Sequence, residues 1–137
     1  MYLKVLVCNL GLLHRNLIND SAWFSNHKQL SEWENQTKEV CDDLIETGLA
    51  LGFKEPTIND SILAFQNKTL SSEQRRLKET YSIVYEDFRE LCGLLEMVRQ
   101  EVPVNIQAKI DEYQYYFNKE ANYKLATFFK GNFEEDD

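Results

Sequence analysis

Apolar residues recur along this chain at helical spacing in four long stretches and one short one. In the first, Leu3, Leu6, Leu10, Leu13 and Leu17 fall on one stripe, with Val7 and His14 beside it. The run from Val5 to Cys8 could also open a buried strand, but the length of the stripe and the lack of other strand candidates favour a helix. The residues from Asn19 to His27 read as a polar connection carrying Trp23 and Phe24. A second face then joins Leu30, Trp33, Thr37, Val40, Cys41, Leu44, Ile45, Gly48 and Leu51. The spacing predicts a helix opened by a Ser31/Glu34 capping box, in which each side chain satisfies a backbone N–H of the first turn. Gly52 suits the position just past its end, Phe53 can fold back on the last turn, and Pro56 prevents resumption.

A short helix is expected after Asn59 as cap, with Ile58 and Leu63 as its hydrophobic staple, ending near Asn67. Residues Ser71 to Gln74 form a second capping-box sequence ahead of the strongest pattern. There Leu77, Tyr81, Val84, Phe88, Leu91, Leu95, Val98 and Val102 alternate steps of four and three. Ile83 and Leu94 widen this stripe on one side, Tyr85 and Cys92 on the other. That arc is broader than a coiled-coil seam and predicts a bundle helix. Pro103 closes it, and Ile106, Ala108, Ile110, Tyr113, Phe117, Ala121, Leu125 and Phe128 predict a last helix stopped by Gly131. The expected fold class is therefore all-α: a single-domain helical bundle of four main helices plus one short helix over residues 1–131, followed by an acidic disordered tail over 132–137. Only five Gly and two Pro punctuate 137 residues, which suits long helices better than a sheet.

Charge narrows the partner. The sum 15 − 23 gives −8, a balance that repels phosphate backbones and excludes nucleic acid as a direct ligand while suiting a basic protein partner. No stretch is long and apolar enough for a bilayer-spanning helix, so no membrane association is expected. Lys4 followed by an apolar run imitates a signal peptide, but Asn9 interrupts it and no small-residue cleavage site follows. A cytoplasmic location is expected, and the triplets at Asn19, Asn35, Asn59 and Asn67 would be glycosylation sites only in a secreted chain. Three widely spaced cysteines, Cys8, Cys41 and Cys92, form neither a disulfide framework nor a CxxC pair, and each is expected to pack as a small apolar side chain.

Candidate chemistry is sparse. His14 and His27 have no Glu or Cys three or four positions away, and the Glu-x-x-His pair of di-iron bundles is absent, so no metal ligands are expected. Cys8 and His14 lie on different faces of a helix, and the glycines form no phosphate-cradling run. No catalytic residue, cofactor site or enzymatic activity is expected on these grounds, although a pocket between helices, around His14 for instance, would escape a sequence reading.

The surfaces are more informative. Glu32, Glu39, Asp43 and Glu46 fall within roughly 60° of arc at 100° per residue, with Asp42 beside them. No Lys or Arg interrupts this stripe, and like charges such as Glu39/Asp43 at i,i+4 disfavour a helix by about 0.2–0.5 kcal/mol. On the last helix Tyr115 is off the core face, and Tyr116 with Tyr123 forms a flanking stripe near Asp111, Glu112 and Glu120. Tyrosines among carboxylates suit a protein-binding surface. In size, acidity and lack of motifs the chain resembles immunity proteins of bacterial toxin systems; the likeness extends to no motif, and no residue roles come from it. It implies an inhibitor that covers the basic active site of a toxic enzyme, a nuclease among the options. A helical adaptor or regulatory subunit is the alternative, with Met97, Tyr115 and Tyr116 as candidates for an apolar patch.

Overall fold

The computed structural model describes residues 1–18 and 23–132, and within them the chain is all-α. Four main helical stretches and one short helix are present, as the periodicity predicts. They fall into two compact units, residues 1–77 and 78–137. The expected tail lies, apart from Asn132, outside the described residues.

In the first unit, α1 (Tyr2–Arg15) packs against α2 (Trp23–Ala50). Met1 Sδ meets Cys41 Sγ at one end and His14 meets Glu34 at the other, so the two helices run antiparallel. The apolar stripes meet as their spacing dictates: Leu6, Leu10, Leu13, Leu30, Trp33 and Val40 are all buried. Asn9, the polar break in the α1 stripe, is 2% exposed. Its Nδ2 donates to Lys68 O at 2.7 Å and its Oδ1 accepts from the Leu70 N–H at 3.2 Å, so it clamps the chain that follows the short helix. That helix, α3 (Ile58–Ala64), begins one residue before the expected cap: Thr57, not Asn59, caps it, its Oγ1 accepting from the Asp60 N–H. A 3₁₀ turn, Gln66–Lys68, follows. α3 is tied to the first turn of α1 by Met1 N donating to Ser61 Oγ and by the edge-on rings of Tyr2 and Phe65.

Two expected helix starts are overturned. α2 begins at Trp23, eight positions before Ser31. Trp23 Nε1 donates to Leu17 O at 3.1 Å and its ring stacks on His27, contacts that hold the extra turns in place, while Glu34 turns to His14 instead of capping. α4 (Leu77–Arg99) does not start at the Ser71–Gln74 box. Arg75 is held in a short extended pairing with Leu17, through Ile18 N–H to Arg75 O and Arg75 N–H to Asn16 O, which keeps its backbone out of a helix. Its side chain is buried, and Nη1 donates to Ser71 O. The end of α2 is as expected: Gly52 has φ +92°, its N–H reaches Leu49 O, and the Phe53 N–H reaches Gly48 O.

In the second unit, α4 pairs antiparallel with α5 (Val104–Asn118) and α6 (Ala126–Asn132). The contacts run in order: Arg99 with Asp111, Cys92 with Gln114, Phe88 with Phe117, and Tyr81 with Phe128. Tyr81, Val84, Phe88, Leu91 and Leu95 form the core side of α4, joined by Thr80, Asp87 and Cys92. Pro103 stands just before α5 as its cap residue. Between α5 and α6 the helix widens into a π segment, Lys119–Leu125, and the Ala126 N–H reaches Ala121 O, five positions back. The helix runs on through Gly131 rather than stopping there. No helix among the described residues is long and apolar enough to cross a membrane.

Candidate functional site

The outer face of α2 carries the first candidate site. Glu32, Glu39, Asp42 and Glu46 are exposed, and Asp43 is half-buried. Glu32 and Glu46 are fourteen residues apart, so the stripe runs about 21 Å at 1.5 Å per residue. Among the described residues, none of Glu32, Glu39, Asp42 and Glu46 has an ion-pair partner. Some carboxylates elsewhere are paired, Glu55 with Lys4 at 2.8 Å, Asp111 with Arg99 at 2.6 Å, and Glu120 with Lys124 at 3.2 Å, while Glu86, Glu101 and Glu112, like the α2 acids, have no ion-pair partner among the described residues. On α2 the carboxylates stand at i,i+3 and i,i+4 from one another, where each raises the electrostatic energy of the next.

The aromatic face of the second unit divides. Tyr115 and Tyr123 stand out at 71% and 72% exposure. Tyr116 is half-buried with its ring edge-on to Phe117. Glu112 is exposed, whereas Asp111 is neutralised by Arg99. Glu120, expected on the surface, is buried: the π segment gathers it inward together with Ala121 and Leu125, and Lys124 accompanies it. Two steps of four in succession, from Phe117 to Ala121 to Leu125, were the sequence signal of that widening, since an ideal α-helix would drift out of register over them.

A second cluster was not legible as one. His14 Nδ1 lies 2.6 Å from Glu34 Oε1, at an angle that is not a hydrogen bond's. The His14 and His27 rings meet edge-on at 5.0 Å, and Trp23 stacks on His27 at 4.5 Å. The Arg15 guanidinium lies over Gly11 beside Glu34, where a Cβ on Gly11 would come within 2.9 Å of Nη1. The signal was topological: His14 ends one helix and His27 opens the next, so an antiparallel hairpin brings them together. The cluster packs the turn end of the hairpin, where α1 passes to α2. Among the described residues no group of three His, Cys, Asp or Glu side chains is placed to hold a metal ion.

The cysteines separate as well. Cys8 is exposed, contrary to expectation, because it faces away from the Leu6/Leu10 stripe; Cys41 and Cys92 are buried, and all three are free thiols. Burial pushes the Cys92 thiol up to about 11, and burial, helped by Asp42, raises Cys41, so neither is a ready nucleophile at neutral pH. A shallow groove of about 370 Å³ follows α4 between Glu86 and Met97, open to solvent and without a buried polar group directed into it.

Apolar exposure adds a feature missing from the sequence reading. Leu49, Leu51, Phe53, Ile58, Ile62 and Leu63 are each at least 40% exposed, all within fifteen residues. Leu51 is expected on the apolar face of α2 and Leu63 in a staple with Ile58, yet both are exposed. Phe53 folds back onto Gly48, but a glycine there offers it no side chain to pack on, and it stays 68% exposed. Comparison with known proteins returns no match to a family model, to a curated protein or to a solved structure.

Proposed function

We propose that this chain is a non-catalytic binding protein that receives a basic protein partner on the outer face of α2. The version that fits best is an immunity or antitoxin-type inhibitor of a toxic enzyme, bacterial in character and acting in the cytoplasm. Its carboxylates would occupy the cleft where a nuclease, for example, holds substrate phosphates, and block it without chemistry. One observation carries this reading: Glu32, Glu39, Asp42 and Glu46 lie exposed along one face, and none of them is in an ion pair among the described residues. A helix maintained for stability alone gains from interspersed lysines. The free thiols fit a reducing compartment.

The test is affinity capture from the native cell lysate at low salt, followed by purification of the captured protein and measurement of its Kd. Charge reversal at Glu39, Asp42 and Glu46 to Lys is expected to raise Kd by about 100-fold or more, as loss of close charge pairs does. Raising the salt is expected to weaken the parent complex. Equal affinity of parent and variant would remove the acidic face from the binding surface. The second reading is a helical adaptor or regulatory subunit, favoured by the exposure of Leu49, Phe53 and Leu63. It predicts binding that persists at high salt.

A further inference from the structure

α2 is longer than its packing against α1 requires. Met1 stands opposite Cys41, so the nine residues from Asp42 to Ala50 run about 13 Å past the start of α1. On this overhang Leu49 follows Asp42 by seven positions and Glu46 by three, which places it on the same face as the carboxylates. The chain then turns at Gly52, exposes Phe53, pairs Glu55 with Lys4, and enters α3, which exposes Leu63. Met1, just before α1, and Tyr2 and Lys4, in its first turn, bind Ser61, Phe65 and Glu55 respectively. The overhang and α3 are therefore fastened to the same turn, with their apolar side chains left outside.

The charge around this apolar end decides what can cover it. Between residues 42 and 63 the acids are Asp42, Asp43, Glu46, Glu55 and Asp60, and the one base is Lys54, so the net charge is −5 + 1 = −4. A second copy of the chain would set −4 against −4. A partner with basic flanks gains from the same field. Among the described residues the only strand-like feature is the isolated Leu17/Arg75 bridge, so no sheet edge is available for strand addition. A helix laid along the ridge of α2 can offer apolar residues at i, i+3 and i+7 with cations on either side.

We infer that the acidic face and the apolar end of α2 form one docking surface for a basic amphipathic helix. Its apolar ridge seats on Leu49, Phe53 and Leu63, and its lysines or arginines lie along Glu39, Asp42 and Glu46. This rests on the acidic-face reading above and adds the chemistry of the partner: charge guides the encounter, and the apolar anchors hold the complex.

The test uses the full chain and a fluorescein-labelled 18-residue helical peptide of Leu and Lys in amphipathic order, read by fluorescence anisotropy. Its controls are a peptide of the same composition with the order scrambled and one with Glu in place of Lys. The parent is expected to bind the ordered Leu/Lys peptide at least about tenfold more tightly than either control. The triple variant Leu49→Ser, Phe53→Ser and Leu63→Ser changes exposed side chains only, and circular dichroism checks that it folds. It is expected to lose about tenfold in affinity with its salt dependence unchanged. The variant Glu39→Lys, Asp42→Lys and Glu46→Lys is expected to lose both affinity and salt dependence. If the apolar variant binds like the parent, or the scrambled peptide binds as tightly as the ordered one, this inference falls while the acidic-face reading stands. If the charge variant binds like the parent, both fall. Sedimentation of the parent is expected to give a monomer, and a dimer abolished by the apolar variant would assign the surface to a second copy and overturn the inference.

Discussion

Changing Glu46 to Lys should make the protein more stable while weakening its binding. Glu46 is exposed and has no ion-pair partner among the described residues. Its neighbours on α2 are Asp42 four positions before it and Asp43 three before it. A like-charge pair at this spacing costs about 0.2–0.5 kcal/mol and an opposite pair returns a similar amount, so converting one to the other is worth about 0.4–1 kcal/mol. Asp42 supplies this swing in the favourable order, acid before base. Asp43 is half-buried and otherwise engaged, so it adds less. Helix propensities of Glu and Lys are nearly equal and do not disturb the sum. Net charge also falls in size from −8 to −6. The expected gain is about 1 kcal/mol, or roughly 3–5 °C in melting temperature for a chain of this size.

The assay is denaturant unfolding followed by circular dichroism, at low salt and again at about 0.5 M NaCl, where screening shortens the reach of exposed charges to about 4 Å. The gain should shrink at high salt. Glu46→Gln, which removes repulsion without adding attraction, should give about half of it. If Glu46→Lys is neutral or destabilising at low salt, the carboxylates of α2 do not repel one another in the folded chain. The premise that they are kept at a cost to stability would then be wrong.

Two further predictions concern backbone and thiols. Gly52→Ala should lower stability by about 1–2 kcal/mol, because Gly52 sits at φ +92° in open space and the whole cost is conformational; an unchanged denaturation midpoint would mean that this helix end is not held as described. Titration of the native protein with a thiol reagent should modify Cys8 promptly, and Cys41 and Cys92 only after denaturant is added; three fast thiols would contradict their burial. Stability should also decline as pH rises from about 9 towards about 11. The unfolded Cys92 thiol ionises near 9.0 while the folded one holds its proton to about 11, so the unfolded state loses protons first and is favoured. Cys92→Ala should flatten that decline.

Helix faces were legible in the sequence because burial follows the 3.6-residue period: Leu6, Leu10, Leu13, Trp33, Phe88 and Phe117 all lie inward as their spacing implies. Helix starts were not. Ser31/Glu34 and the Ser71–Gln74 run have the composition of caps, but a capping bond contributes only about 1 kcal/mol. Tertiary contacts outweigh it: Trp23 on Leu17 O and His27 extends α2 backwards, and the Leu17/Arg75 pairing delays α4. The end of α2 was legible because Gly52 meets a backbone requirement that hardly any other residue can. Glu120 was misplaced for a different reason. A π segment alters the angular spacing of its side chains, and projection on an α-helical wheel cannot show which residue is turned inward.

The distribution of polar groups argues for a surface as the functional part of this chain. Asn9 fastens the chain at Lys68 and Leu70, Arg75 holds Ser71, Glu34 closes on His14, Ser61 holds the start of α1, and Glu120 pairs with Lys124. These inward polar groups each have a structural employment within their own unit. On the outside, α2 has 28 residues where α1 has 14. A helix needed only to cover α1 could end near Cys41, where Met1 stands opposite it. The turns beyond expose Asp42, Glu46 and Leu49: the two carboxylates repel each other at i,i+4, and Leu49 remains half in water. Packing against α1 accounts for α2 as far as Cys41, and the exposed side chains of the last nine residues are where the proposed binding would act.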